Sequence, residues 1–319
     1  PAFFSSTATS NRQSVTTTEH VRVRFNRIPR TILFAEAEWE QEDTDYFESD
    51  PGVIQGFLRD SEADSTDQDY RFGATVTPWR RATLTSHLRY RKKKSRYDHL
   101  RDEGPVGSPG FGYSAFLLGR DVETYEFATK LSVRPQPWFQ AHLGYQLRST
   151  DYDTDTDAVT FGSPSDTPGG WLQAGEYDSS IYTLAMVLTP WERVTMNGSL
   201  TYLDSRTKAA SNGDPAVDDY EGDVLSLLLG GSYLLNDTTD LVAHYSFSSG
   251  DYSQGNTADG LPLGIDYDLH SLQAGLSTLV HENVRLNLQY LYQHYEETSS
   301  GDINDYTAHG IFANCAVSW

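Results

Sequence analysis

The stretch "DYDTDTD" sets carboxylates at Asp151, Asp153, Asp155 and Asp157, the alternate-residue spacing from which calcium loops draw several oxygen ligands. It has neither the turn glycine nor the closing glutamate of an EF-hand. A solvated acidic loop is therefore the first reading, with Asp151, Asp153 and Asp155 as the residues that would hold a metal if one bound. His87, His142, His244 and His294 fall on separate segments, and the chain carries no Gly-x-Ser-x-Gly, HExxH or phosphate-loop pattern. No catalytic constellation is legible, and the expectation is a protein that is not an enzyme. Cys315 is the only cysteine, which leaves no internal disulfide, no thiolate zinc cluster and no covalent haem on this chain; haem would come only with a partner.

A larger set of charges alternates with apolar residues: Arg22 and Arg24, Glu36 and Glu38, Arg71, Arg89 and Arg91, then Glu126, Lys130 and Arg134, His142 and Arg148, and finally Arg285. Unpaired inside a protein core, each would cost several kcal/mol. Around a wet interior they cost little. There they could pair across neighbouring strands as ladders, line a diffusion path, or grip an inserted protein.

The elements that position these charges are strands. In "VRLNLQYLYQHYEE" (284–297), Val284, Leu286, Leu288, Tyr290 and Tyr292 take every second place, with mostly polar residues between. "FQAHLGYQLR" sets Phe139, Ala141, Leu143, Tyr145 and Leu147 against Gln140, His142, Gln146 and Arg148. The same alternation along the chain gives about thirteen strands, near 17–26, 31–42, 68–78, 82–98, 121–134, 139–152, 176–188, 193–206, 222–235, 241–253, 266–279, 284–297 and 305–319. Most are longer than the strands of sandwiches and long enough to cross a bilayer at a tilt. Short turns such as "TPWRR" (77–81), "TPWER" (189–193) and "HEN" (281–283) alternate with long loops near 43–67, 99–120, 153–175, 207–221, 254–265 and 298–304. Outer-membrane barrels sort their connections this way, with the tight turns periplasmic. In the loop 43–67, "GVIQGFL" places Val53, Ile54, Phe57 and Leu58 amid acids, an apolar cluster expected to pack inward.

Composition fits that reading. No run of about 18 apolar residues exists, so helical spans are excluded, while a mean hydropathy of -0.53 is compatible with strands that show only half their residues to lipid. With 24 basic and 45 acidic residues the net charge is -21, which points away from nucleic acid. Trp79, Trp138, Trp191 and Trp319 stand at the short-turn ends. Tyr90, Tyr145, Tyr245 and Tyr292 lie toward the long-loop ends, as do Tyr97, Tyr152, Tyr252, Tyr267, Tyr295 and Tyr306. Two such belts match the aromatic girdles of the membrane interfaces. The chain closes on "YTAHGIFANCAVSW", where Ile311, Ala313, Cys315, Val317 and Trp319 share a face. This in-phase terminal aromatic resembles the signal read by the outer-membrane insertion machinery.

The fold expected is all-β: an antiparallel up-and-down transmembrane barrel of about 13 to 14 strands, forming one outer-membrane domain over 1–319. Thirteen is odd, whereas bacterial single-chain barrels have even counts. Either "AFFSSTATS" supplies a fourteenth strand or an N-terminal portion of a larger barrel is lacking, and the second is favoured.

The Pro-Trp turns, "GDVLSLLLGGSYLLNDTTDLVAHYSFS" (222–248), "GLPLGIDYDLHSLQAGLS" (260–277) and "NDYTAHGIFANCAVSW" (304–319) together resemble the C-terminal half of the porins of the MtrB/PioB type. The N-terminal Cys-x-x-Cys frequent in that family is absent here. The resemblance implies a barrel that sheathes a multihaem c-type cytochrome, the partner carrying all the redox chemistry while the wall insulates and positions it. A stand-alone diffusion porin for small solutes is the alternative, and a β-sandwich surface protein binding glycans a third. The implied surroundings are outer-membrane lipid in a Gram-negative bacterium.

Overall fold

The computed structural model describes residues 8–50, 57–103, 117–156, 171–208, 218–258 and 261–317. Its strands are β1 (Thr9–Phe25), β2 (Thr31–Asp50), β3 (Phe57–Trp79), β4 (Ala82–Glu103), β5 (Leu117–Gln136), β6 (Phe139–Thr156) and β7 (Trp171–Trp191). They continue as β8 (Val194–Thr207), β9 (Tyr220–Asn236), β10 (Thr239–Ala258), β11 (Leu261–His281), β12 (Val284–Glu297) and β13 (Tyr306–Val317). All thirteen belong to one sheet, each bonded to its chain neighbours, so the order is up-and-down throughout. Every pairing is antiparallel.

The connections alternate as expected. β1 and β2 are joined by 26–30, and β3–β4, β5–β6, β7–β8, β9–β10 and β11–β12 each by two residues. The prolines at 78, 135 and 190 precede these turns, where the register shifts at Val76/Trp79, Val133/Gln136 and Leu188/Trp191 free a residue that cannot donate to the ladder. Neighbouring turns are stitched together along this rim. Arg30 donates from Nη1 to the Pro78 carbonyl (2.9 Å), Arg81 donates to the Pro135 carbonyl, and Arg193 donates to the Leu235 carbonyl (3.3 Å).

The two faces of the sheet are chemically opposite, and the curvature follows the chemistry. Phe72, Leu88, Leu143 and Tyr182 are 50 to 60% exposed on one face. Glu126, Thr150, Ser179 and Ser205 are buried on the other. On a flat sheet both faces would be equally open. Here the polar side chains converge on a concave wall and the apolar ones spread over a convex one, the inverse of a water-soluble sandwich. Along β7, Tyr182 and Trp191 are nine residue steps apart. At about 3.3 Å per residue and a tilt of about 40° they span about 23 Å, close to the apolar band of an outer-membrane barrel.

The structure departs from the sequence reading in three respects. Strands run further toward the long-loop side than hydropathy showed: β2 reaches Asp50 and β3 begins at Phe57, so 43–50 and 57–67 are strand and not loop, and Leu58 lies in register with Ser49 on the outward face. "DYDTDT" is strand too, the end of β6. Thr9, part of "AFFSSTATS", which was the less favoured source of a fourteenth strand, belongs to β1, and residues 1–7 lie outside the described set, as do Val53, Ile54, Asp157 and Trp319. Finally, the sheet is open: β1 and β13 are its edges and do not pair.

At the β12–β13 connection, Glu297 gathers the loop. Its carboxylate accepts from the Tyr295 hydroxyl (2.8 Å), Asn304 Nδ2 (3.1 Å) and Ser299 Oγ (3.2 Å). The Tyr295 hydrogen bond first, then those from Asn304 and the two serines, hold its carboxyl below the usual range. A depressed acid stabilises above its unfolded pKa and loses that contribution as pH falls through its folded one. Protection of the amides of 298–305, taken relative to their intrinsic exchange rates, should therefore be high at pH 7 and fall below about pH 4, the unfolded glutamate range; E297Q should lower it at pH 7.

Candidate functional site

The charged residues meet as a ladder across the first six strands. In register, Arg22 faces Glu36, Glu36 faces Arg71, Arg71 faces Arg89, Arg89 faces Glu126, and Glu126 faces Arg148. Side chains directly opposite on one face are close enough to interact, so this single row sets six charges side by side on β1 to β6. Arg22 Nε lies 2.7 Å from Glu36, whose other oxygen is 3.9 Å from Arg71. Glu126 is the hub: Arg148 Nη2 approaches at 3.0 Å, Gln146 Nε2 donates at 2.9 Å, and His87 Nε2 lies at 3.4 Å. Nearer the long loops, Arg89 pairs with Asp69 and Arg91 with Asp67, each diagonal to the register. Glu36, Asp69, Arg71, His87, Arg89 and Glu126 line a polar hollow of about 390 Å³ together with His20, Ala37 and Glu38.

One backbone feature lets the row pack. Gly73 sits beneath the Phe34 ring, and Arg71 lies over that ring with its guanidinium carbon 5.6 Å from the centroid. A Cβ at Gly73 would collide with the ring and with the Ser86 carbonyl. Gly73→Leu should therefore displace Phe34 and part β3 from β4. We expect loss of the folded, heat-modifiable band on unboiled gels, while G144A, whose Cβ would meet Thr183 at an ordinary 3.6 Å, keeps it.

Of the other sequence candidates, Arg285 is inward and pairs with Asp240 at 3.6 Å and Ser277 at 3.0 Å. His142 is inward and bonds Ser132 Oγ through Nδ1 at 2.8 Å, apart from the ladder. Arg24 and Lys130 share the inward face but have no ion pair among the described residues, and neither has Glu38. Arg134 lies in the register shift between Val133 and Gln136, near the short turn, where its guanidinium donates to the Pro137 carbonyl at 3.0 Å. The calcium reading is corrected. Asp151, Asp153 and Asp155 are exposed on one face of a strand, about 6.6 Å apart, too far to converge on one ion. No metal-binding group occurs among the described residues.

From β7 to β12 the inner wall changes character. It is mostly uncharged, with Thr183, Thr201 and Ser226 in one register row, Ile181, Leu203 and Val224 in the next row on the same face, and Ser246 facing Ser271 in another. Toward the long loops it carries a tyrosine cluster: Tyr220 stacks on Tyr252 at 5.4 Å, and Tyr267, Tyr295 and Tyr306 stack in series at 5.9 and 5.5 Å. These tyrosines, with Tyr97 and Tyr152, share the polar face by register and so leave the outer girdle to which the sequence reading assigned them.

The outer girdle itself is continuous where it can be followed. Trp39 Nε1 donates to Tyr70 Oη at 2.9 Å, Tyr70 stacks on Tyr90 at 6.3 Å, and Tyr90 meets Tyr125 at 5.0 Å. Tyr145, Tyr182 and Tyr202 follow at 5.0 and 6.3 Å, Tyr245 contacts His270, and Tyr292 contacts His309. Trp79, Trp138 and Trp191 are exposed at the opposite end of the apolar band. Beyond the tyrosines the outward face turns acidic: Asp204, Asp223, Asp251 and Asp266 stand directly opposite one another on β8 to β11. Much of the negative charge lies on this flank and not on the inner wall.

No protein-family model matches the chain, and no curated protein does. Among solved structures, the outer membrane channel DcaP of Acinetobacter baumannii is similar at 8% identity, covering 98% of this chain and 97% of that one with a TM-score of 0.42. OmpT of Vibrio cholerae, folded in vitro, is similar at 9% identity over 98% of each chain with a TM-score of 0.37. The toluene transporter TodX of Pseudomonas putida is similar at 9% identity over 97% and 89% with a TM-score of 0.28. At TM-scores below 0.5 these likenesses carry no argument about this chain.

Proposed function

We propose that the chain forms the wall of a bacterial outer-membrane β-barrel, with lipid on its convex face and an aqueous passage for polar solutes on its concave one. One observation carries the reading: Leu88, Leu143 and Phe72 are open on a band bounded by aromatic rings, while Glu126 and the serines opposite are covered. Water would reward the reverse arrangement; hydrocarbon rewards this one. The wall acts by geometry and charge, not by chemistry: the ladder rigidifies β1 to β6 and presents ions to water, and the hydroxyl-lined strands offer hydrogen bonds to whatever passes.

A second occupant is favoured by the smoothness of β7 to β12, whose only inward ion pair among the described residues is Arg285–Asp240. Such a surface also suits a folded protein held inside, and the sheath for a multihaem c-type cytochrome implied by the sequence resemblance is that case. Its haem would belong to the partner. Reconstitution into planar bilayers separates the two: a solute passage gives discrete conductance steps from the purified protein. A sheath gives a complex with haem absorbance that conducts poorly until the partner is stripped. Absence of conductance in both states would remove the passage reading.

A further inference from the structure

The short-turn ends of the β1–β2, β3–β4 and β5–β6 hairpins carry cations and no carboxylate. Residues 23–35 hold Arg24, Arg27 and Arg30, residues 72–88 hold Arg80 and Arg81, and residues 127–147 hold Lys130 and Arg134. Not one of the chain's 45 acidic residues falls in these stretches. The other hairpin ends are mixed or acidic, with Glu192 beside Arg193, then Asp237 and Asp240, then Glu282 near Arg285. A purely cationic end is therefore specific to one half of the rim.

None of these arginines, nor Lys130, has an ion pair among the described residues. The carboxylates of the ladder above them are engaged: Glu36 lies between Arg22 and Arg71, and Glu126 takes Arg148 and His87. The acids of the outward flank are remote. On β5, Asp121 and Arg134 are thirteen residue steps apart, about 43 Å along the strand. At about 0.1 M salt, charges more than about 10 Å away are largely screened, so those acids do not neutralise this end.

Three of the guanidiniums are pinned by a bond to a turn carbonyl, Arg30 to Pro78, Arg81 to Pro135 and Arg134 to Pro137. A guanidinium has five N–H donors, so such a bond leaves both its charge and donors able to take a carboxylate or phosphate. Arg24 and Lys130 carry the charge inward: both are exposed and, by register, on the concave face. Rim arginines alone would suit phospholipid phosphates. Cations inside the wall suit an anion that enters it.

We propose that this end of β1–β6 is an anion-collecting mouth, through which the passage favours small anions over cations although the chain's net charge is -21. Charges of one sign along a low-dielectric wall concentrate the opposite ion beside them. This rests on the aqueous passage proposed above.

Planar bilayers of zwitterionic lipid under a potassium chloride gradient read the preference as a reversal potential. Chloride more permeant than potassium is the expected result. R24Q/K130Q removes the two inward cations and should shift the reversal potential toward that of potassium, while R24K/K130R keeps the native value. R27Q/R80Q, at rim positions with no hydrogen bond among the described residues, should shift it the same way and serves where the first pair does not fold. Potassium preference in the native protein overturns the proposal. An unchanged reversal potential in both glutamine variants overturns it too and leaves these cations to lipid headgroups. Absence of conductance in the native protein overturns the passage itself, a failure distinct from conductance with the wrong preference.

Discussion

Leu288→Arg should cost about 2–4 kcal/mol of barrel stability, the penalty for an arginine near the bilayer midplane on a lipid-facing position. Leu288 is 52% exposed on the convex face of β12, four residues above the short turn and four below Tyr292, so it lies near the middle of the apolar band. Gln289, its neighbour in sequence, faces inward beside Gly275 and bonds Gln273 at 3.1 Å. Gln289→Arg meets water and should change stability by less than about 1 kcal/mol, in keeping with the tolerance of lumen positions. Urea titrations of the two variants folded into vesicles measure the difference. In a soluble protein a half-exposed leucine would accept arginine with little effect, so the size of the L288R penalty reports which medium lies against it.

Removing the hub of the ladder is the second large effect. Glu126 is buried, and Arg148, Arg89 and His87 are arranged around it. Glu126→Ala leaves guanidinium groups crowded on a low-dielectric wall without their counter-ion and should destabilise by about 2–3 kcal/mol, less than a fully buried pair because lumen water reaches Arg148. E126A/R148A should recover part of the loss, since removing one cation relieves the repulsion that the first substitution created. E126Q, which keeps an acceptor and loses the charge, should fall between. The same urea titrations measure all three. Additivity of the two single substitutions would show that the ladder contacts are geometric only.

Which residues belong to each face was legible in the sequence because a strand has a strict period of two: Arg22, Glu36, Arg71, Arg89, Glu126 and Arg148 were all identified by phase. Which of them meet was not legible, since register is fixed by turn geometry and bulges such as that at Val76/Trp79. His87 looked isolated for that reason, although it lies 3.4 Å from Glu126. Asp67 and Asp69, partners of Arg91 and Arg89, were partly hidden because above the aromatic belt both faces of a strand are polar and the alternation vanishes. The same loss of contrast turned 43–50 and "DYDTDT" into loops. The tyrosines of the inner cluster carried a usable signal that was overlooked: Tyr295 is out of phase with Tyr292, so the two cannot share a girdle. The odd strand count was legible as well, because each strand has its own alternating segment, and the thirteen-stranded up-and-down order agrees with it.

The most direct measurement is the reactivity of adjacent positions toward a membrane-impermeant, water-soluble thiol reagent, in intact outer membranes and in a C315A background. Leu288→Cys and Gln289→Cys differ by one residue and by face alone. Rapid modification of Q289C from the aqueous lumen, with L288C protected until detergent is added, is the expected result. Rapid modification of L288C with Q289C protected would place water against the apolar rows and contradict the whole reading.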